Sequence, residues 1–116
     1  MKIYCSDSDV EEQKLLNGYE FASYQDADDI IILPGGLGCL YDMIRGIQDR
    51  KTVYLFNKDY FFTNVLEALY NMHEVGYEKK TPADYMIIES DFSEILKKLE
   101  EKKNGKANDG ETSKLL

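Results

Sequence analysis

The segment Leu33-Pro34-Gly35-Gly36-Leu37-Gly38-Cys39-Leu40-Tyr41-Asp42 gathers the residue types from which chemistry could be built. Its glycines at positions 35, 36 and 38 allow positive φ and let a ligand approach the backbone with no Cβ in the way. Where such a turn opens a helix, the first N–H groups lack intrahelical partners and the positive end of the helix dipole stands behind them. Gly35, Gly36, Leu37, Gly38 and Cys39 thus form a candidate cradle for a phosphate or carboxylate. A glycine-rich turn alone is equally consistent with a tight strand-to-helix connection, so the loop needs support from its surroundings. Asp42, just beyond it, could act as a catalytic carboxylate, bind ribose hydroxyls, or only favour the first helical turn electrostatically. Tyr41 and Tyr60 could stack on a nucleobase, with Pro34 at the start of the loop as a third base or ribose contact. Phe62 reads as core by its spacing.

Other reactive types carry less. Cys39 and Arg45 stand at the C-x5-R spacing of cysteine phosphatases, but the residues between them follow helical core periodicity and cannot wrap a phosphate. Cys39 at a helix start could have a lowered pKa; a small residue in a turn is the simpler reading. Cys5 and Cys39 are too few for a disulfide framework. With a single histidine there is no zinc-type ligand spacing, and neither a metal nor another cofactor is expected. His73, near a helix end, reads as solvated or capping, and Asp26, Asp28 and Asp29 read as a charged surface turn.

Four runs read as strands: Lys2 to Cys5, Asp29 to Leu33, Thr52 to Phe56 and Tyr85 to Ile88. They are continuously apolar, as strands covered on both faces are. Between them, Leu40, Met43, Ile44 and Ile47 fall at i, i+3, i+4, i+7, the spacing of an amphipathic helix. Phe62, Val65, Leu66 and Leu69 repeat that pattern, as do Phe92, Ile95, Leu96 and Leu99. Asp59 is placed to cap the second of these helices, and Asp91 with Glu94 the third. Ser8 with Glu11 would start an earlier helix, interrupted by the turn signal Asn17-Gly18. A separate helix over Tyr19 to Asp26 is expected after it, with a hairpin at Asn17-Gly18 as the minor alternative. The alternation predicts βαβ units and an α/β fold, an open parallel sheet of about four strands with helices on both faces. One domain is expected over 1–101, followed by a polar tail, 102–116, with the composition of mobile segments.

The 116 residues include 22 acidic and 14 basic ones, a net charge of -8. This argues against nucleic acid or an anionic membrane as a partner. No apolar run reaches the ~18 residues that a membrane span needs, and the N-terminus lacks the apolar region of a secretory signal. A cytoplasmic protein is expected. The charge opposes a phosphate site at long range, but salt screens distant charges beyond about 8 Å and leaves a local backbone cradle effective.

The string Ile32-Leu33-Pro34-Gly35-Gly36-Leu37-Gly38 resembles the PGGxGTxxE signature of the lonely-guy (LOG) family, nucleotide phosphoribohydrolases often labelled lysine-decarboxylase-like. Ala27 to Leu33 is similar to the family's lead-in strand, and Lys51 to Asn57 with Asp59 to Phe62 to its next strand and helix start. Glu74-Val75-Gly76-Tyr77 resembles a family helix end, and Ile87 to Leu99 the last strand and helix. The resemblance implies a Rossmann-like fold, a homodimer or higher homo-oligomer, a nucleoside monophosphate ligand, phosphate binding by Gly35 to Cys39, and the catalytic glutamate's place for Asp42. There are departures. The motif threonine is Cys39, and Asp42 is one methylene shorter than glutamate. The family's catalytic arginine falls near Tyr19, where Asn17-Gly18-Tyr19-Glu20 offers no cation. Most of the family's N-terminal βαβα portion has no counterpart.

Moving a carboxylate by about 1 Å can cost of order a hundredfold in rate, and losing a positioning cation costs more. A cradle of backbone and glycine survives both losses. The expected function is therefore a nucleotide-phosphate binder that senses or sequesters a nucleotide without turnover, a cyclic ADP-ribose-like signal being one such ligand. The alternatives are a nucleoside 5′-monophosphate phosphoribohydrolase that releases a free base, and an interaction protein whose loop is structural. Met43, Ile47, Tyr70 and Met72 are the apolar surface expected to support self-association.

Overall fold

Five parallel strands form one open sheet in the order β2-β1-β3-β4-β5. The computed structural model describes residues 1–6 and 10–105. Ser8, expected to start the first helix, lies outside the described residues, as does 106–116 of the expected tail. The strands are β1 (Lys2–Cys5), β2 (Glu20–Phe21), β3 (Asp29–Ile32), β4 (Thr52–Phe56) and β5 (Met86–Glu89). The helices are α1 (Val10–Lys14), α2 (Leu37–Gln48), α3 (Thr63–Glu74), the short α4 (Pro82–Tyr85) and α5 (Phe92–Gly105). The fold is an α/β open parallel sheet, as the alternating pattern predicts, and Rossmann-like, as the resemblance implies. Among the described residues, no helix is long and apolar enough to cross a membrane.

Period-2 geometry divides each central strand between two cores. Ile31 and Leu33 join Tyr54, Phe56, Ile3 and Leu16 under α5, where Phe92, Ile95 and Leu99 are buried. Ile30 and Ile32 face the other way with Val53, Leu55, Met43 and Phe62, under α2 and the start of α3. The continuous apolar runs of β3 and β4 are thus required by a sheet covered on both sides. Gly46, in the middle of α2, lets that helix lie close on β4: a Cβ there would stand 2.9 Å from Val53 Cγ2.

Several local expectations are overturned. The sheet has five strands, not about four, because Tyr19 to Asp26 forms no helix: Glu20 and Phe21 pair with Lys2 and Ile3 as a parallel edge strand, and turns follow. The hairpin is excluded by the same parallel pairing; Gly18 instead takes φ +104° in the turn that ends the α1 segment. Asp59 does not cap α3. It sits at φ 50° inside a 3-10 turn over Lys58–Tyr60, and Asn57 Oδ1 accepts the Phe62 N–H at 2.6 Å instead. Asp91 does hold the start of α5, accepting the Ser93 N–H at 3.0 Å. That helix continues to Gly105, so the first residues assigned to the polar tail belong to it.

Asp29 is no surface residue either. It is 3% exposed, and its Oδ1 pairs with Lys102 of α5 and accepts the Tyr54 hydroxyl at 3.5 Å. Met43 is fully buried and cannot serve self-association, whereas Tyr70 and Met72 are exposed.

The close approach at Gly46 gives a stability test. Gly46→Val would push branched carbons into Val53, and urea denaturation should show a loss of about 1–3 kcal/mol, the usual range for overpacking.

Candidate functional site

Strand order reverses direction between β1 and β3: the chain moves outward from β1 to β2, returns to β3 and continues the other way. In open α/β sheets the connections leave that point on opposite faces, opening a crevice at the carboxyl ends of the two strands. The crevice is present. A cavity of about 670 Å3 is lined by Tyr4, Cys5 and Ser6 from the end of β1 and by Gly36, Gly38, Cys39, Tyr41 and Asp42 from the loop and start of α2. That volume lies in the range of small-molecule sites.

The loop is held from β1. Ser6 N–H donates to Ile31 O at 3.0 Å, and Ser6 Oγ accepts the Leu33 N–H at 2.8 Å, so the departure of the chain from β3 is fixed. Gly36 caps α2, and its carbonyl accepts the N–H groups of Cys39 and Leu40 at 3.1 and 3.3 Å. Helix geometry leaves the Leu37 and Gly38 N–H groups without intrahelical acceptors at this end of α2, and Gly38 lines the crevice. The glycines do not use positive φ as expected: Gly36 has φ -96°, and among the described residues the positive-φ glycines are Gly18 and Gly76. A Cβ at Gly36 or Gly38 would meet nothing within 4 Å. Packing therefore does not demand glycine at either place, and the bare backbone borders open space.

Asp42 forms the floor, its side chain only 10% exposed. Both oxygens are engaged. Tyr4 Oη donates to Oδ2 at 2.7 Å, while Arg45 Nε and Nη2 donate to Oδ1 at 3.1 and 2.9 Å. The guanidinium lies 3.6 Å from the Tyr24 ring centre and 4.8 Å from that of Tyr41, both within cation–π range. Tyr24 in turn donates to Asp49 at 2.5 Å, and Lys51 Nζ donates to the Tyr24 and Ala27 carbonyls at 2.7 and 2.6 Å. Burial pushes the Tyr4 hydroxyl up to about 12, helped by its hydrogen bond to Asp42 and that carboxylate's charge. Tyr24 is likewise raised to about 12, by burial and by Asp49. Burial alone would lower the Arg45 pKa, but the hydrogen bonds and charge of Asp42 outweigh it and raise it.

The expected site residues are brought together unequally. Gly36, Gly38, Cys39, Tyr41 and Asp42 share the crevice, whereas Pro34, Gly35, Leu37 and Tyr60 are not among its lining residues. Leu37 is 84% exposed and Tyr60 71%. Cys39 is buried and in no disulfide. His73 bonds the Glu78 carbonyl through Nδ1 at 3.1 Å, a helix-end role. Among the described residues, no cluster of His, Cys, Asp or Glu could hold a metal ion. Sequence reasoning missed Tyr4, Tyr24 and the pairing role of Arg45. The i, i+3 spacing of Asp42 and Arg45 was a usable signal; nothing local marked the two tyrosines.

A family model described as "possible lysine decarboxylase" matches residues 20–99 of the chain. The chain belongs to this family. The lysine-decarboxylase-like match spans β2 to most of α5 and includes the glycine loop, Asp42 and Arg45. Tyr4, Cys5 and Ser6, the other wall of the crevice, precede the matched residues. The family, also called LOG, includes phosphoribohydrolases. No curated protein matches the chain.

The raised Tyr4 pKa has a defined consequence. A group whose pKa is raised by folding from 10.0 to about 12 stabilises the fold fully below pH 10, and that contribution is lost as pH rises through 12. Tyr4→Phe should cost about 1–2 kcal/mol at neutral pH, and the gap from wild type should shrink above pH 10. Denaturant melts across that range, with tyrosinate absorbance as the second readout, check it.

Proposed function

We propose that the protein binds the phosphate of a nucleotide or nucleotide-derived molecule on the Gly35 to Cys39 loop and holds it without turnover, as a sensor or sequestering protein. The observation that carries this reading is the contrast between an open cradle and a closed carboxylate. At Gly36 and Gly38 the backbone borders empty space with helix N–H groups behind it, an arrangement suited to an anion. Asp42 has both oxygens taken by Tyr4 and Arg45. A carboxylate so occupied must first give up charge-assisted hydrogen bonds before it can touch a ribose, each worth about 1.5–3 kcal/mol. Tyr41, exposed at the mouth, is the base contact this reading favours, and Tyr60 and Pro34 are assigned peripheral places.

One observation favours a second reading, a nucleoside 5′-monophosphate phosphoribohydrolase. Arg45 supplies a cation beside the carboxylate, although no arginine neighbours Tyr19 in the sequence. The Asp42–Arg45 pair could then act on the sugar once a ligand drew the two apart.

Isothermal calorimetry with AMP, ADP-ribose and cyclic ADP-ribose, followed by chromatography for released base, separates the two. Binding with no free base supports the sequestering reading; free adenine that disappears in Asp42→Asn supports the hydrolase; heat from none of the three overturns both. Gly38→Ala should leave the melting temperature unchanged or raised, since its Cβ meets nothing and alanine favours the helix. The same methyl group narrows the cradle and should weaken nucleotide binding. Self-association is a further part of the proposal, supported by the exposed Ile44, Tyr70 and Met72 on α2 and α3, and sedimentation reads it directly.

A further inference from the structure

The acidic residue in the crevice poses a problem for the site just proposed, on which this inference rests. A carboxylate in the floor of a phosphate site repels the ligand, and a poorly solvated one does so strongly. Here the guanidinium of Arg45 lies against Asp42 Oδ1 and is itself fixed: the Tyr24 ring supports one side at 3.6 Å, and the Tyr41 ring lies at 4.8 Å. Tyr24 is anchored by Asp49 and by Lys51, which holds the Tyr24 carbonyl. The cation is therefore built into the wall of α2 and does not reach freely into the crevice. Its side chain is 28% exposed.

We infer that Arg45 is the specificity-determining residue of the crevice, cancelling the charge of Asp42 so that the glycine cradle accepts a phosphorylated ligand over its uncharged counterpart. In this arrangement Arg45 acts through Asp42 and not by grasping the phosphate. Tyr4 completes the pair by taking the oxygen that Arg45 leaves. The fold thereby holds an anion site at the mouth of a neutral ion pair, within a chain of net charge -8.

Charge cancellation and direct contact make opposite predictions. Calorimetry with AMP and with adenosine as probes is run on wild type, Arg45→Met, Asp42→Asn and the double variant, with melting temperatures recorded for each. Arg45→Met should weaken AMP about tenfold or more, because a bare carboxylate then faces the phosphate, while adenosine binding changes little. Asp42→Asn should tighten AMP several-fold, since Arg45 is left uncompensated. The double variant should return to within a few-fold of wild type. If the double variant stays as weak as Arg45→Met, Arg45 contacts the phosphate itself and the inference fails. An Arg45→Met protein that binds AMP like wild type overturns it as well, with the phosphate site intact. Wild type that binds neither probe removes the phosphate site and this inference together, which no variant result can mimic. Should Arg45→Met not fold, Arg45→Gln replaces it in both the single and the double variant, with the same outcomes deciding; a loss of AMP affinity in Asp42→Asn means that Asp42 touches the ligand and overturns the inference as well.

Discussion

A buried carboxylate has to be compensated, and the way Asp42 meets that demand organises one end of the molecule. Leaving such a group without its partner costs several kcal/mol. Its compensation comes from three separate elements: Arg45 from one turn further along α2, Tyr4 from β1, and Tyr24, beneath Arg45, from the connection into β3. The requirement ties helix, edge-side strand and loop into one assembly. It also fixes the first turns of α2, whose N–H groups border the crevice.

The crevice itself follows from topology. With β1 at the point where strand order reverses, the ends of β1 and β3 are adjacent but their connections leave on opposite faces. Ser6 bridges the two strand ends through Ile31 and Leu33, and the glycine loop emerges from that anchored position. The acidic composition and an anion site are compatible here for a local reason. Charges beyond a Debye length are screened, and Asp42, the carboxylate among the described lining residues, has its own cation in contact.

The fold was legible because its signals are local. The β-branched run Asp29 to Leu33 and the run Thr52 to Phe56 need cover on both faces, and the apolar spacing of Leu40, Met43 and Ile47 needs a helix, so βαβ order follows. The edge strand was not legible. Glu20 and Phe21 are both exposed and are a strand only because Lys2 and Ile3 offer free backbone partners beside them. Asp59 failed as a cap for a similar reason: Asn57, fixed at the end of β4, reaches the Phe62 N–H first. Asp29 looked like part of an acidic turn until α5 brought Lys102 to it from far along the chain.

What the amino-acid order determined by itself was the glycine loop, its position between a buried strand and an amphipathic helix, and the family to which residues 20–99 belong. These depend on neighbours in sequence, where hydrogen bonding and side-chain periodicity act within a few residues. The tertiary structure completed the state of Asp42. Arg45 stands one turn away on the same helix and fills one oxygen, but Tyr4, which fills the other, and Tyr24, which supports Arg45, reach that place only through parallel pairing of β1 with β2 and β3. No spacing in a linear sequence encodes contacts that close across an assembled sheet.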